Sequence, residues 1–412
     1  MVQTTRRQLG ALAASAALLG GPLARPALAQ GTKEVITFAG VTFTEAGRGD
    51  KLRAWVDGFN KSQDRIEVQP IGMPFATLAN TVFTQMGGGA GPDLVRFDQI
   101  DYYAAVAAKR ILPMDEILAD GNYTFTAAMK YLKVDGRTYG VPFESSNYVL
   151  LYNNALLKSG APANFDDFVA KAKQATTDGV YGFACRATMA ERPGFWQDVC
   201  NFVFGFGGRW SDGKELTLNS PAVIEGVSAY KRMYDSGALP KGADAATYRR
   251  MFWEGKLAME IDNGGVAAIL NQQAPSLPLM AAFSPFPTRT QGAILAPLTI
   301  NANTKNKAAT TTFLKWSLQP GPQRELQALL GAGNAATVVE RTPEELQARP
   351  WLKVYDDQTP NSIPQLVEGF EIKTPEVQQI VLEQVLRVLQ AGQDPKRAMD
   401  EAQRIATARV KR

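Results

Sequence analysis

Residues 138–157, TYGVPFESSNYVLLYNNALL, constrain the fold more than any other stretch of the chain. Gly136 and Gly140 bracket its start as turn signals, and Pro142 leads toward the apolar run YVLLY, the pattern of a buried strand. Asn153 or Asn154 then opens a predicted helix, with Ala155, Leu156 and Leu157 behind it. Between the two buried segments stand Glu144, Ser145, Ser146 and Asn147, where a plain core crossing would carry apolar side chains. Two readings fit. The tetrad is a solvated loop between strands, or the chain crosses here from one lobe to another with polar residues facing a shared cleft.

The surrounding pattern alternates strand and helix. Val35 to Phe38 reads as a strand, Leu52, Trp55, Val56 and Phe59 as one face of a helix, and Ile66 to Val68 as a second strand. Leu78, Val82 and Met86 mark another helix, stopped by Gly87, Gly88 and Gly89, before a third strand from Asp93 to Phe97. This order argues for a mostly parallel sheet with helices on both faces. The glycine run has no Lys-Ser/Thr behind it and precedes a strand, so it is a helix stop and not a phosphate cradle. Further on, 165–175 reads as a helix, 181–184 as a strand and 195–206 as an aromatic-rich helix. Gly292 to Ile300 reads as a returning strand in which Pro297 needs an edge or a bulge. Phe313, Leu314 and Trp316 lie on the next helix, and Val377, Val381, Val385 and Val388 form a core stripe on what reads as the final one.

At 412 residues the chain suits two domains. It contains no histidine, which excludes histidine triads, bases and metal ligands. Cys185 and Cys200 alone make a poor zinc site; in an oxidising compartment they could pair across their short loop, and otherwise each is a small buried hydrophobe. Residues 1–29 read as an export leader: Arg6-Arg7 in a twin-arginine pattern, an apolar run too short to span a bilayer, and an A-x-A site at 27–29. Gln30 follows the expected cut, so no cysteine offers a lipid anchor there. Without Arg6, Arg7 and Arg25 the balance is 41 basic to 40 acidic residues, no electrostatic case for nucleic acid or an anionic membrane.

The run from YGVPF through YVLLYNN to FDDF, the segment from Phe252 to Met259 ahead of Asp262-Asn263-Gly264-Gly265, and Ser362 to Leu366 with Phe370 resemble the extracellular solute-binding proteins of sugar importers, relatives of the maltose-binding protein. The resemblance implies an α/β, two-lobed periplasmic-binding-protein fold of type II. Each lobe would be a mostly parallel sheet flanked by helices: 30–142 with 293–318, and 143–292 with 319–412, joined by hinge crossings. It implies a monomeric periplasmic receptor closing over a sugar or polyol and docking on the membrane permease of an ABC importer, with no cofactor, no metal and no catalysis.

Ligands of open α/β sheets bind at strand C-terminal ends. Phe43 and Glu45, Asp98, and Glu144 occupy such positions. Carboxylates accept hydroxyl hydrogens in fixed directions, although Glu45 equally suits a helix N-terminus and Asp98 a helix cap. Sugar C–H faces stack on rings, which makes Phe75, Trp196, Trp210 and Phe370 candidates against a background of core aromatics; Trp253 reads as structural. Arg186 could hold a hydroxyl, phosphate or carboxylate, or form a surface salt bridge. Asn263, Gly264 and Gly265 would let backbone approach a ligand, and Asn334 is a further candidate. Two other functions stay open: an organophosphate receptor in which Arg186 matters most, and an exported glycoside hydrolase using two of Glu45, Asp98 and Glu144.

Overall fold

The computed structural model describes residues 33–45, 48–330 and 336–411. The expected leader, Asn334 and the side chain of Phe75 lie outside the described residues. The strands of the main sheet are β1 (Glu34–Gly40), β2 (Ile66–Gly72), β3 (Leu94–Arg96), β4 (Val141–Asn153), β5 (Tyr181–Ala184), β6 (Leu257–Asn263), β7 (Leu279–Ala282), β8 (Gln291–Ile300) and β9 (Ser362–Pro364); Lys133–Val134 and Arg137–Thr138 form a separate hairpin. The main sheet runs in the order β2-β1-β3-β8-β4-β6-β5, with β9 on β8 and β7 on β4. The parallel character expected from the alternation holds for β2-β1-β3 and for β5-β6. The pairs that β4 makes with β8, β6 and β7 are antiparallel, so the sheet is mixed.

β4 is the crossing. Its Val141–Asn147 half pairs with β8, and Tyr148 to Tyr152 pair with β6. Phe143 packs with Ile36, Phe38, Trp55, Leu298 and Phe313, whereas Tyr148, five residues on, packs with Phe168, Phe183, Phe202 and Val381. One strand therefore serves two cores, and each buried phenylalanine adds roughly 1.5–3 kcal/mol to its own. The polar tetrad is strand, not loop: Glu144, Ser145, Ser146 and Asn147 pair with Ala296, Leu295, Ile294 and Ala293. The register slips between Ala296 and Pro297, the bulge that a proline without an N–H requires.

The helix stop stands where the glycines place it: Phe75–Gly87 ends at Gly88, and Gly89 turns the chain in the left-handed region at φ 77°. Other expectations change. Residues 154–156 form a turn and not a helix: Asn153 ends β4, its Oδ1 accepts the Ala155 N–H at 3.0 Å and its carbonyl the Leu156 and Leu157 N–H at 3.0 and 2.9 Å, a single turn that is not continued. Thr374–Ala391 carries the valine stripe but is followed by another helix, Pro395–Arg409, capped by Asp394. Leu326, Leu330 and Ala336 pack in the core of Ile36 and Phe38, whereas the sequence division grouped 319–412 with the other lobe. Cys185 and Cys200 are both free, and Cys200 Sγ accepts the Trp210 indole N–H at 3.3 Å.

Candidate functional site

A cleft of about 710 Å³ opens beside the crossing strands. Glu144 and Ile294 line it, while Ser145, Asn147, Ala293 and Leu295 line a separate small pocket, as the alternation of side chains along β4 and β8 dictates. The loop after β1, the end of β3 and the helix Gln99–Ala107 supply one wall, with Glu45, Arg48, Arg96, Asp98 and Asp101. The opposite wall carries Arg192, Trp196, Arg249, Asn263, Gly265 and Gln365.

Glu144 stands between two guanidinium groups. Arg48 Nη2 donates to its Oε1 at 2.7 Å and Arg96 Nη2 to its Oε2 at 2.6 Å. Burial alone would raise this carboxyl, but the two positive charges outweigh it and hold Glu144 down to about 2. Arg48 Nη1 also donates to Glu45 Oε2 at 2.7 Å. Asp98 has both roles read for it: it lines the cleft, and its Oδ1 accepts the Ile100 N–H as the cap of Gln99–Ala107. Burial raises its proton affinity, partly offset by Arg96. Burial and the charge of Asp98 push neighbouring Asp101 up to about 6.

On the other wall, Asn263 caps the helix Gly264–Gln273 by accepting the Gly265 N–H at 3.0 Å. The buried Asp262 organises this corner. Its Oδ1 accepts the backbone and side-chain N–H of Asn263 at 2.8 and 2.9 Å, and its Oδ2 accepts Arg249 Nε and Nη2 at 3.1 and 2.8 Å. The Gly264 N–H donates to Ser146 Oγ at 2.9 Å and ties this helix start to the crossing.

The structure thus gathers Glu45, Asp98, Glu144, Trp196, Asn263 and Gly265 around one cleft. Five other described candidates lie outside it. Phe43 is buried edge-on against Phe38, with ring centroids 5.0 Å apart. Arg186 is 4% exposed and donates to Asp198 through its side chain at 2.8 Å and its backbone at 2.7 Å, a buried pair and not the surface one considered. Trp210 lies beneath Trp196, stacked at 4.8 Å, and Phe370 belongs to the core of Tyr148. Gly264 is buried behind Gly265. Trp196 is itself almost covered, its indole N–H donating to the Gln365 carbonyl at 2.9 Å. Sequence reading passed over Arg48, Arg96, Asp101 and Arg249. Arg96 carried a usable signal: a charge inside the apolar strand DLVRF has to find a partner once buried. Among the described residues no group of acidic or thiol side chains is arranged to hold a metal ion, and no helix is long and apolar enough to cross a membrane.

A putative binding protein of Brucella abortus is 25% identical over 272 residues, 60% of this chain and 63% of that protein, so the match spans about three-fifths of that relative. The sn-glycerol-3-phosphate-binding periplasmic protein UgpB of Rhizobium meliloti is 24% identical over 378 residues, 84% of this chain and 86% of its own. An ABC transporter solute-binding protein from Thermotoga lettingae, solved with alpha-D-tagatose, superposes with a TM-score of 0.77 at 17% identity over 92% of this chain and 100% of that one. That likeness establishes the two-lobed periplasmic-binding-protein fold of type II. The family model described as bacterial extracellular solute-binding protein matches residues 44–324, from the loop after β1 through both crossing strands, and the chain belongs to that family.

Proposed function

We propose that this protein is the receptor of an ABC importer, closing two lobes over a small hydroxylated molecule, a sugar or polyol, and delivering it to a membrane permease. One observation carries the reading: polar groups from both walls converge on a cleft beside the strands that join the lobes. Closure is favoured by the ligand because only the closed form brings both sets of groups to it. In this reading the leader is removed on twin-arginine export, and the mature, unlipidated chain works as a periplasmic monomer without a cofactor. One lobe extends to residue 142 and regains the chain from β8 to about Ala336; the other holds the remainder.

A thermal-shift screen over sugars, polyols and phosphate esters tests it. A ligand at a hundredfold its dissociation constant adds about 2.7 kcal/mol of stability. Silence across the panel would count against the receptor.

The Rhizobium relative favours phosphate esters as the second reading. Its cationic residues would then be Arg48, Arg96 and Arg249, since Arg186 is committed to Asp198. In the hydrolase reading Glu144 would not serve as the general acid, because a carboxyl held near 2 by two arginines is ionised at neutral pH and has no proton to give. An oligosaccharide recovered without new reducing ends agrees with a receptor.

A further inference from the structure

Among the described residues that line the cleft, the buried side-chain atoms without a partner are two guanidinium donors and one amide oxygen, Gln99 Oε1, and the two donors belong to arginines held by one carboxylate. Arg48 Nε and Arg96 Nε are buried and make no hydrogen bond among the described residues, and both side chains line the cleft. Arg96 is 7% exposed, so its N–H cannot be satisfied by open solvent. A buried N–H without an acceptor is costly and marks a place for one. The carboxylate between these arginines is in the opposite condition, each oxygen of Glu144 already taking a guanidinium N–H. The second wall repeats the arrangement. Asp262, 1% exposed and set behind the lining, takes two N–H bonds from Arg249, which reaches the cleft, and two from Asn263, which also reaches it.

We propose that Glu144 and Asp262 are positioning residues that aim arginines into the cleft from its two walls, so that the ligand is read by guanidinium donors on both sides and must present acceptor oxygens to each. The inference rests on the receptor reading and reverses the role first given to Glu144. Direct contact would make Glu144 the acceptor of a ligand hydroxyl hydrogen; here it fixes the planes of Arg48 and Arg96, whose forked N–H groups meet ligand oxygen. Hydroxyl, carboxylate and phosphate oxygens all satisfy that requirement.

The Asp262–Arg249 pair gives the cleaner test, because the other arginine near Asp262, Arg186 at 4.0 Å, is hydrogen-bonded to Asp198 and does not line the cleft. Isothermal titration of D-glucose, ribitol and sn-glycerol 3-phosphate against wild type, D262N, R249Q and D262N/R249Q forms a double-mutant cycle. For any probe that binds, R249Q should weaken affinity about ten- to a hundredfold, and the double variant should be no weaker than R249Q. The same cycle with E144Q against R96Q and R48Q/R96Q tests the first wall, where E144Q should lose its effect only once both arginines are gone. A purely structural role would lower the melting temperature without this non-additivity. Additive losses, or full affinity in R249Q and R96Q, overturn the proposal and leave the receptor standing. Binding of none of the probes to wild type counts against the receptor itself, and the proposal falls with it. For a sugar that binds, a deoxyfluoro analogue separates the roles further. Fluorine can accept but not donate, so a site reading through arginines keeps more affinity for it than a site reading through a carboxylate.

Discussion

Two buried glutamates on neighbouring strands of one sheet meet opposite fates. Glu144 on β4 lies between Arg48 and Arg96 and is held down to about 2. Glu260 on β6 is 1% exposed, neither of its oxygens makes a hydrogen bond among the described residues, and burial first, then the charge of Asp262, push it up to about 8. Both start from 4.5. Desolvation acts on both in the same direction, so the difference lies in the partners. Glu144 faces a cleft whose arginines need an anion; Glu260 faces an interior where Arg249 and Arg186 are already engaged by Asp262 and Asp198.

The largest effect follows from removing the partnered acid. Glu144→Gln leaves the buried Arg96 without its counter-charge and Arg48 with Glu45 alone, and breaking a buried pair costs about 3 kcal/mol or more. Urea unfolding at pH 7 measures it, and a loss under about 1 kcal/mol would mean the clamp is slack. The pH dependence has a definite sign. The depressed folded value makes the contribution fully present above 4.5 and lost as pH falls toward 2. Glu144→Gln should therefore flatten the acid limb of the wild-type stability curve.

Glu260 should behave as the mirror image, with a smaller effect. Its folded value is raised, so between 4.5 and 8 the unfolded chain releases a proton that the native state retains, and stability falls as pH rises through that window. Glu260→Gln keeps the shape and removes the titration. It should be more stable than wild type at pH 8, with the gain vanishing below pH 4.5. Melting curves at pH 4, 6 and 8 decide. A variant destabilised equally at all three would show that Glu260 has a structural partner after all.

The fold was largely legible because its signals are local. Val35 to Phe38, Ile66 to Val68 and Tyr181 to Ala184 announced strands by composition and spacing, and Pro297 announced its bulge by the donor it lacks. The site was legible only in part. Glu144 stood out as a charge in a buried crossing, but its partners lie 96 and 48 residues away, joined by no pattern a linear reading can follow. Arg186 and Asp198, though close in sequence, were missed as a pair because one ends a strand and the other lies on a helix packed against it. Rings were least legible: Phe43, Trp210 and Phe370 carry the same letters whether they face a ligand or a core, and here Phe43 and Phe370 pack in cores while the largely buried Trp210 edges a second cavity. Asn153 misled for a local reason, since its side chain and carbonyl accept N–H groups as a helix start would, yet only one turn follows.

The smallest expected effect isolates what burial contributes to the clamp. Glu45 bonds the same Arg48 at the same 2.7 Å distance as Glu144, but its side chain is 34% exposed against 13%. The bond to Arg48 is equal in length; Glu144 differs in having Arg96 as well and in its lower exposure to solvent. Water screens the outer pair and readily replaces its carboxylate, so Glu45→Gln should cost under about 1 kcal/mol. The loss should shrink further in 1 M salt, where the screening length is about 3 Å. Glu144→Gln should keep most of its cost under the same conditions, because ions reach it poorly. Urea unfolding of both variants at low and high salt makes the comparison. Equal salt sensitivity would mean that both carboxylates are wetted alike, and Glu144 would then be an ordinary acceptor on an open wall and not the fixed centre of an arginine pair.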